Sequence, residues 1–262
     1  MSNLKLKDRI VSYQEAASSK LLGRLPIVMV VNGRSFSKLT SLLDKPFSSQ
    51  IAECLYSTAF RLIQEIDGAV FGYSFNDEIV IIARNDQNLE TEPWYGNDIQ
   101  KIVSVVSATA TLHFNNYANS LDLNLMGEPV FVTNVFAVPN TMEAINVMVM
   151  KQQQAFQSSV QLACFYELLK KYNKNDIRDM LTGIDQNEKI QLLQQECGVD
   201  FNDYPMAFKR GVACYRTPQI VTFNDTEVIK NKWILNTDLP IFTREHSFLN
   251  NIISTGTDIF RK

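Results

Sequence analysis

Histidine is almost absent. Only His113 and His246 occur in 262 residues, which excludes a multi-histidine metal centre and makes a Ser-His-Asp triad improbable. His113, between Leu112 and Phe114, reads as core-facing or half-exposed rather than catalytic. Cysteine is scarce too: Cys54, Cys164, Cys197 and Cys214 are scattered, and no pair has the C-x-x-C spacing of zinc or redox sites. They read as reduced, buried small hydrophobes. No apolar run reaches the ~18 residues of a membrane span, and Met1 to Asp8 lack the apolar stretch of a signal peptide. The expectation is a soluble, cytoplasmic protein with no membrane partner. A basic excess is also missing. With 25 Lys plus Arg against 28 Asp plus Glu, the net charge is −3, so a polyanion must meet a local basic patch.

What is present is a foldable composition, 45% hydrophobic and 20% charged. The β-branched run Pro26 to Val31, stopped by Asn32-Gly33, reads as a strand buried on both faces. Ser48 to Ile66 carries apolar residues at helical spacing, with Ser48 or Ser49 as N-cap and Asp67-Gly68 as the stop. Ala69 to Tyr73 and Ile79 to Ile82 form a hairpin with carboxylates at its tip. A second helix starts at the N-cap Asp98 and runs to Phe114, followed by the polar stretch Asn115 to Ser120 and a strand over 129–136. The order β-α-β-β-α-β is that of the split-βαβ unit, which also forms the palm of many nucleotide polymerases. Beyond it come helices over about 141–172, 176–181 and 188–197, with Gly183 and Gly198 as stops. Gly211 to Tyr215 and Ile220 to Phe223, split by Arg216 to Gln219, read as a small hairpin. The fold class is therefore α+β: a ferredoxin-like palm over residues 1–138 with a helical extension over 139–262, packed as one body.

In this unit the spatial strand order is 4-1-3-2, with the first strand antiparallel to the third. The end of the first strand then meets the start of the third, so Asn32 and Gly33 approach Asp77 and Glu78. A palm enzyme needs oxygen ligands there, because carboxylates and a backbone carbonyl hold two Mg²⁺ ions that activate an attacking oxygen and stabilise departing pyrophosphate.

Asn32-Gly33-Arg34-Ser35-Phe36, Asp44-Lys45-Pro46-Phe47, Tyr73 to Glu78 and Gln100 to Ser104 resemble the tRNA-histidine guanylyltransferase family in order and spacing. Lys151-Gln152, Leu181-Thr182-Gly183, Gly198 to Pro205 and Phe208-Lys209-Arg210-Gly211 extend the resemblance over about residues 20–216, closest to the shorter bacterial and phage type. It implies a 3′→5′ reverse polymerase that adds nucleotides to the 5′ end of tRNA or a tRNA-like RNA: GTP or ATP activates a 5′-monophosphate, and the 3′-hydroxyl of an incoming nucleotide attacks it. It further implies two Mg²⁺ ions as cofactors and a homo-oligomer, typically a tetramer. By position, Asp77 becomes a metal ligand and catalytic residue supported by Glu78, while Gly33 offers its carbonyl and Asn32 its amide oxygen. Nucleotide binding falls to Asn32, Gly33, Arg34, Ser35, Phe36, Lys45, Asn76 and Lys101, and RNA binding to Lys209 and Arg210.

The chain departs from the family pattern in places. Val30 and Asn32 stand where the family has arginine and aspartate, Asn76 where it has serine, and Phe156-Gln157-Ser158-Ser159 where it has His-Ile-Asn-Asn. The departures keep a second function open, a relative that binds nucleotide or RNA without polymerising. A third, oligonucleotide synthesis from nucleotides alone, fits the palm but not the C-terminal motifs.

Overall fold

The computed structural model describes residues 5–87, 90–223 and 226–257. In chain order the elements are α1 (Leu6–Ala17), β1 (Ile27–Gly33), α2 (Phe36–Leu39), α3 (Ser49–Glu65), β2 (Ala69–Phe75), β3 (Glu78–Ala83), α4 (Ile99–Ser120) and β4 (Phe131–Ala137). They continue with α5 (Thr141–Leu168), α6 (Lys174–Leu181), α7 (Gln186–Cys197), α8 (Met206–Arg210), β5 (Val212–Phe223), β6 (Thr226–Asn236) and α9 (His246–Thr255). The strands form an antiparallel sheet in the order β4-β1-β3-β2-β5-β6, so the palm order 4-1-3-2 is present and the C-terminal strands extend it.

The alternation of a strand's side chains divides β1 between two cores. Ile27, Met29 and Val31 pack with Leu55, Leu62, Ile102 and Phe114, from α3 and α4. Val28 and Val30 face the other layer, where Ile145 and Met148 of α5 meet Leu249 and Ile252 of α9. This two-sided burial is why the run carries no polar residue before Asn32. A third cluster joins Val160, Cys164 and Leu168 of the far half of α5 to Ile177, Leu181 and Leu193. One 28-residue helix, α5, thus spans both the sheet layer and the distal helices. Its buried Gln152 donates to the Pro240 carbonyl and accepts from the Phe242 amide, both at 2.8 Å, which pins the chain after β6 to the helix.

Two expected boundaries move. Helix α4 runs on through Asn115 to Ser120, because the Asn115 side chain donates to the Thr111 and Pro129 carbonyls while Ala118 stays buried in the core. Arg216 to Gln219 is not a turn. It lies inside β5, which pairs with β6 from Ala213 to Phe223, and Arg216 stacks on its cross-strand neighbour Trp233 at 4.5 Å. Pro218 is tolerated because the pairing of β2 with β5 ends at Tyr215, leaving that side of the strand without a ladder. The four cysteines are free; three are buried and Cys197 is half-exposed. His113 is half-buried, with its Nε2 3.0 Å from the Ser57 hydroxyl. Among the described residues, no helix is long and apolar enough to cross a membrane.

Candidate active site

The ladder brings the anticipated residues together at one end of the sheet. Asn32 stands in register with Glu78, and the Gly33 amide donates to the Asp77 carbonyl at 2.8 Å. Asn76 and Asp77 form the tight turn between β2 and β3, and Asn76 has φ 49°, a left-handed conformation that asparagine adopts more readily than most residues. Gly33 is required for a different reason: a Cβ there would lie 2.2 Å from the ring of Phe36. That ring is locked edge-on against Phe114 and Phe131, each at 5.4 Å, so it cannot move aside.

Helix α5 grips this turn on both sides of Asp77. Asn76 donates to the Ser158 hydroxyl at 2.8 Å. Lys151 lies 2.7 Å from one Glu78 oxygen and donates to the other at 2.9 Å, with the two side chains only 12% and 14% exposed. Burial pushes the Glu78 carboxyl above its ordinary pKa, while the Lys151 ammonium pulls the other way. Asp77 is also raised by burial, opposed by a backbone hydrogen bond. Removing one partner from such a shielded pair costs on the order of 3 kcal/mol, because the other charge is left desolvated.

Beside Asp77 opens a cavity of about 290 Å³. Phe47 and Phe208, stacked on each other at 4.8 Å, line it, and Lys45 sits 5.5 Å from the Tyr166 ring while donating to the Thr40 hydroxyl at 3.1 Å. Burial lowers the Lys45 pKa. Aromatic faces with an adjacent cation suit a planar base bearing phosphates. Asp77 is the junction of the site, since it lines the cavity and also meets the end of β1.

Other anticipated residues lie elsewhere or do other work. Lys101 is exposed in the first turn of α4, its amide bonded to the Asp98 carboxylate, and Asp98 bridges to Lys20 beyond the opposite end of β1. It is not gathered with Asp77, because α4 starts where β3 ends. Arg34 and Ser35 are exposed at the rim and do not line the cavity; the Arg34 amide ties the chain to the Val130 carbonyl. Phe36 lines the cavity and is core as well. Lys209 and Arg210 are half-buried and donate to the Asn202 and Leu239 carbonyls, at 2.6 and 2.9 Å, so both brace the backbone instead of forming an open basic patch. Reading the sequence missed Ser158, Tyr166 and Phe208 as site residues, and the pairing of Lys151 with Glu78. The seven-residue interval from Lys151 to Ser158, two helical turns, was the available signal.

The donor set does not fit two Mg²⁺ ions. Asn32 is neutral and Glu78 is bound to Lys151, which leaves Asp77 as the carboxylate free to ligate at the turn between β2 and β3, and no group of three His, Cys, Asp or Glu suited to a metal occurs among the described residues. A single Mg²⁺ fits, because that ion keeps several waters and takes one or two carboxylates alongside substrate phosphates.

A family model described as "Thg1: tRNAHis guanylyltransferase" matches residues 8–139. The tRNA(His) guanylyltransferase 2 of Arabidopsis thaliana is 24% identical over 230 residues, covering 84% of this chain and 41% of the plant protein. The chain thus spans about two-fifths of that relative's length. Among solved structures, a bacterial tRNA(His) guanylyltransferase-like protein in complex with ATP superposes with a TM-score of 0.80 at 25% identity, covering 95% of this chain and 99% of the other. A bacterial protein of the same description in complex with GTP gives 0.72 at 24% identity, covering 95% and 98%.

Proposed function

Because the chain belongs to the tRNA(His) guanylyltransferase family, we propose that it is a nucleotidyltransferase that uses GTP or ATP and extends the 5′ end of tRNA or a tRNA-like RNA in the 3′→5′ direction. The observation that carries this reading is the position of Asp77, between the aromatic, Lys45-bearing cavity and the end of β1. The ATP and GTP complexes of the bacterial relatives support it.

In this reading Phe47, Phe208 and Tyr166 receive the base, and Lys45 neutralises the phosphates as a point charge. Asp77, with the Asn32 amide oxygen and the Gly33 carbonyl, would hold one Mg²⁺, which offsets charge on the phosphates and on the departing pyrophosphate. The grip of α5 keeps the Asp77 carboxylate at the cavity mouth. Positioning, more than covalent chemistry, is what a phosphoryl-transfer site asks of its protein.

The second reading, nucleotide or RNA binding without polymerisation, is favoured by Asn32 and by the engagement of Glu78 with Lys151. Incubation with labelled GTP or ATP, Mg²⁺ and 5′-monophosphorylated or truncated tRNA separates the two. Incorporation of label at the 5′ end supports the transferase. GTP retention in equilibrium dialysis with no incorporation selects the binding protein.

A further inference from the structure

We infer that Lys151 is a built-in counter-ion to Glu78 that restricts this site to a single divalent ion, bound with the nucleotide. The inference rests on the nucleotide-binding part of the proposed function. A helix rises about 10.5 Å over seven residues, so Lys151 and Ser158 project from one face of α5 two turns apart. They reach the residues on either side of Asp77, Glu78 and Asn76, and leave Asp77 itself toward the cavity.

The ammonium of Lys151 lies within 2.9 Å of both Glu78 oxygens. A divalent ion that ligated Glu78 at the ~2.1 Å of a Mg²⁺–oxygen bond would meet that ammonium at close range, like charge against like. The neutral Asn32 stands in register beside Glu78 and supplies no compensating charge. Lys151 is therefore a positioning residue: it acts through Glu78, takes the place of a second cation's charge, and leaves Asp77 to anchor the remaining ion.

Counting Mn²⁺ bound per chain by electron paramagnetic resonance, with saturating GTP and no RNA, tests this without reliance on turnover. The wild-type chain is expected to bind one Mn²⁺, Lys151→Met two, and Lys151→Arg one, since an arginine restores the counter-ion. Two Mn²⁺ on the wild type, or one on a folded Lys151→Met, overturns the inference. Where Lys151→Met does not fold, Glu78→Gln decides: an unchanged count of one supports the assignment, and loss of an ion overturns it. Failure of the wild type to retain GTP in dialysis overturns the nucleotide-binding reading along with it, whereas retained GTP with two ions overturns the ion count alone.

Discussion

The cavity and the neighbouring strand end differ in the charge they offer, though Asp77 belongs to both. In the cavity, Lys45 keeps its cation beside Tyr166 and the Phe47–Phe208 stack is closely parallel, at 11° between ring planes. At the strand end, Asn32 carries no charge and Glu78 is neutralised from within. Under the proposed function, nucleotide binding and ion loading become separable properties. A base can be held by aromatic faces with little dependence on metal, while the ion has one free carboxylate to rely on.

The sharpest way to break that contrast is Asp77→Asn, which removes the free carboxylate at the junction. Nucleotide incorporation should fall by about 10²–10³-fold, the usual cost of losing one preorganised electrostatic group at a reacting centre. Metal-free GTP binding, measured by dialysis, should change little; an equal loss in both would erase the distinction between the two regions. Next in size is Asn32→Asp. One added charge about 4 Å from an ion, at an effective dielectric near 20, is worth roughly 4 kcal/mol before desolvation. Half of that tightens Mg²⁺ binding roughly thirtyfold, which a Mg²⁺ titration of GTP incorporation would register. Lys45→Met acts on the other side of the comparison. It should weaken GTP binding about tenfold, as expected for losing one charge-assisted contact, while leaving the Mg²⁺ requirement of the bound complex in place.

The palm was legible in the residues because its signals are local: the β-branched run of β1, the caps Ser48 and Asp98, and the acidic turn between two apolar runs. Topology then supplied the meeting of Asn32 with Glu78. Less legible were features that depend on distant packing. Nothing near Pro218 shows that β2 stops pairing three residues earlier, so a strand interior resembled a turn. Asn115 to Ser120 looked like a loop because its polarity is satisfied by carbonyls outside the helix pattern. Lys101 matched a family segment, yet α4 begins at the wrong end of the sheet for it to reach Asp77. Lys209 and Arg210 stand in a family segment, but their carbonyl partners, Asn202 and Leu239, are set by packing that the segment does not reveal. The aromatic wall escaped notice since Phe47, Tyr166 and Phe208 come from three separate parts of the chain.

The grip of α5 on the turn yields the subtlest test. The family pattern has serine at position 76 and asparagine at 158; this chain has the two exchanged, and Asn76 donates to Ser158 at 2.8 Å. A short side chain facing a long one spans the same gap whichever element carries which, so the exchanged pair fits it equally well. Asn76→Ser alone leaves two hydroxyls too far apart to bond, and Ser158→Asn alone crowds two amides into space built for one. Each single change should cost about 1 kcal/mol in urea unfolding. Asn76→Ser should cost somewhat more, because serine tolerates the left-handed backbone at φ 49° less well. The double variant restores the bond but not that backbone preference, giving a coupling of about 2 kcal/mol. Strict additivity of the two changes would mean that the turn is held by Lys151 and the strand ladder alone, and that the exchange carries no structural information.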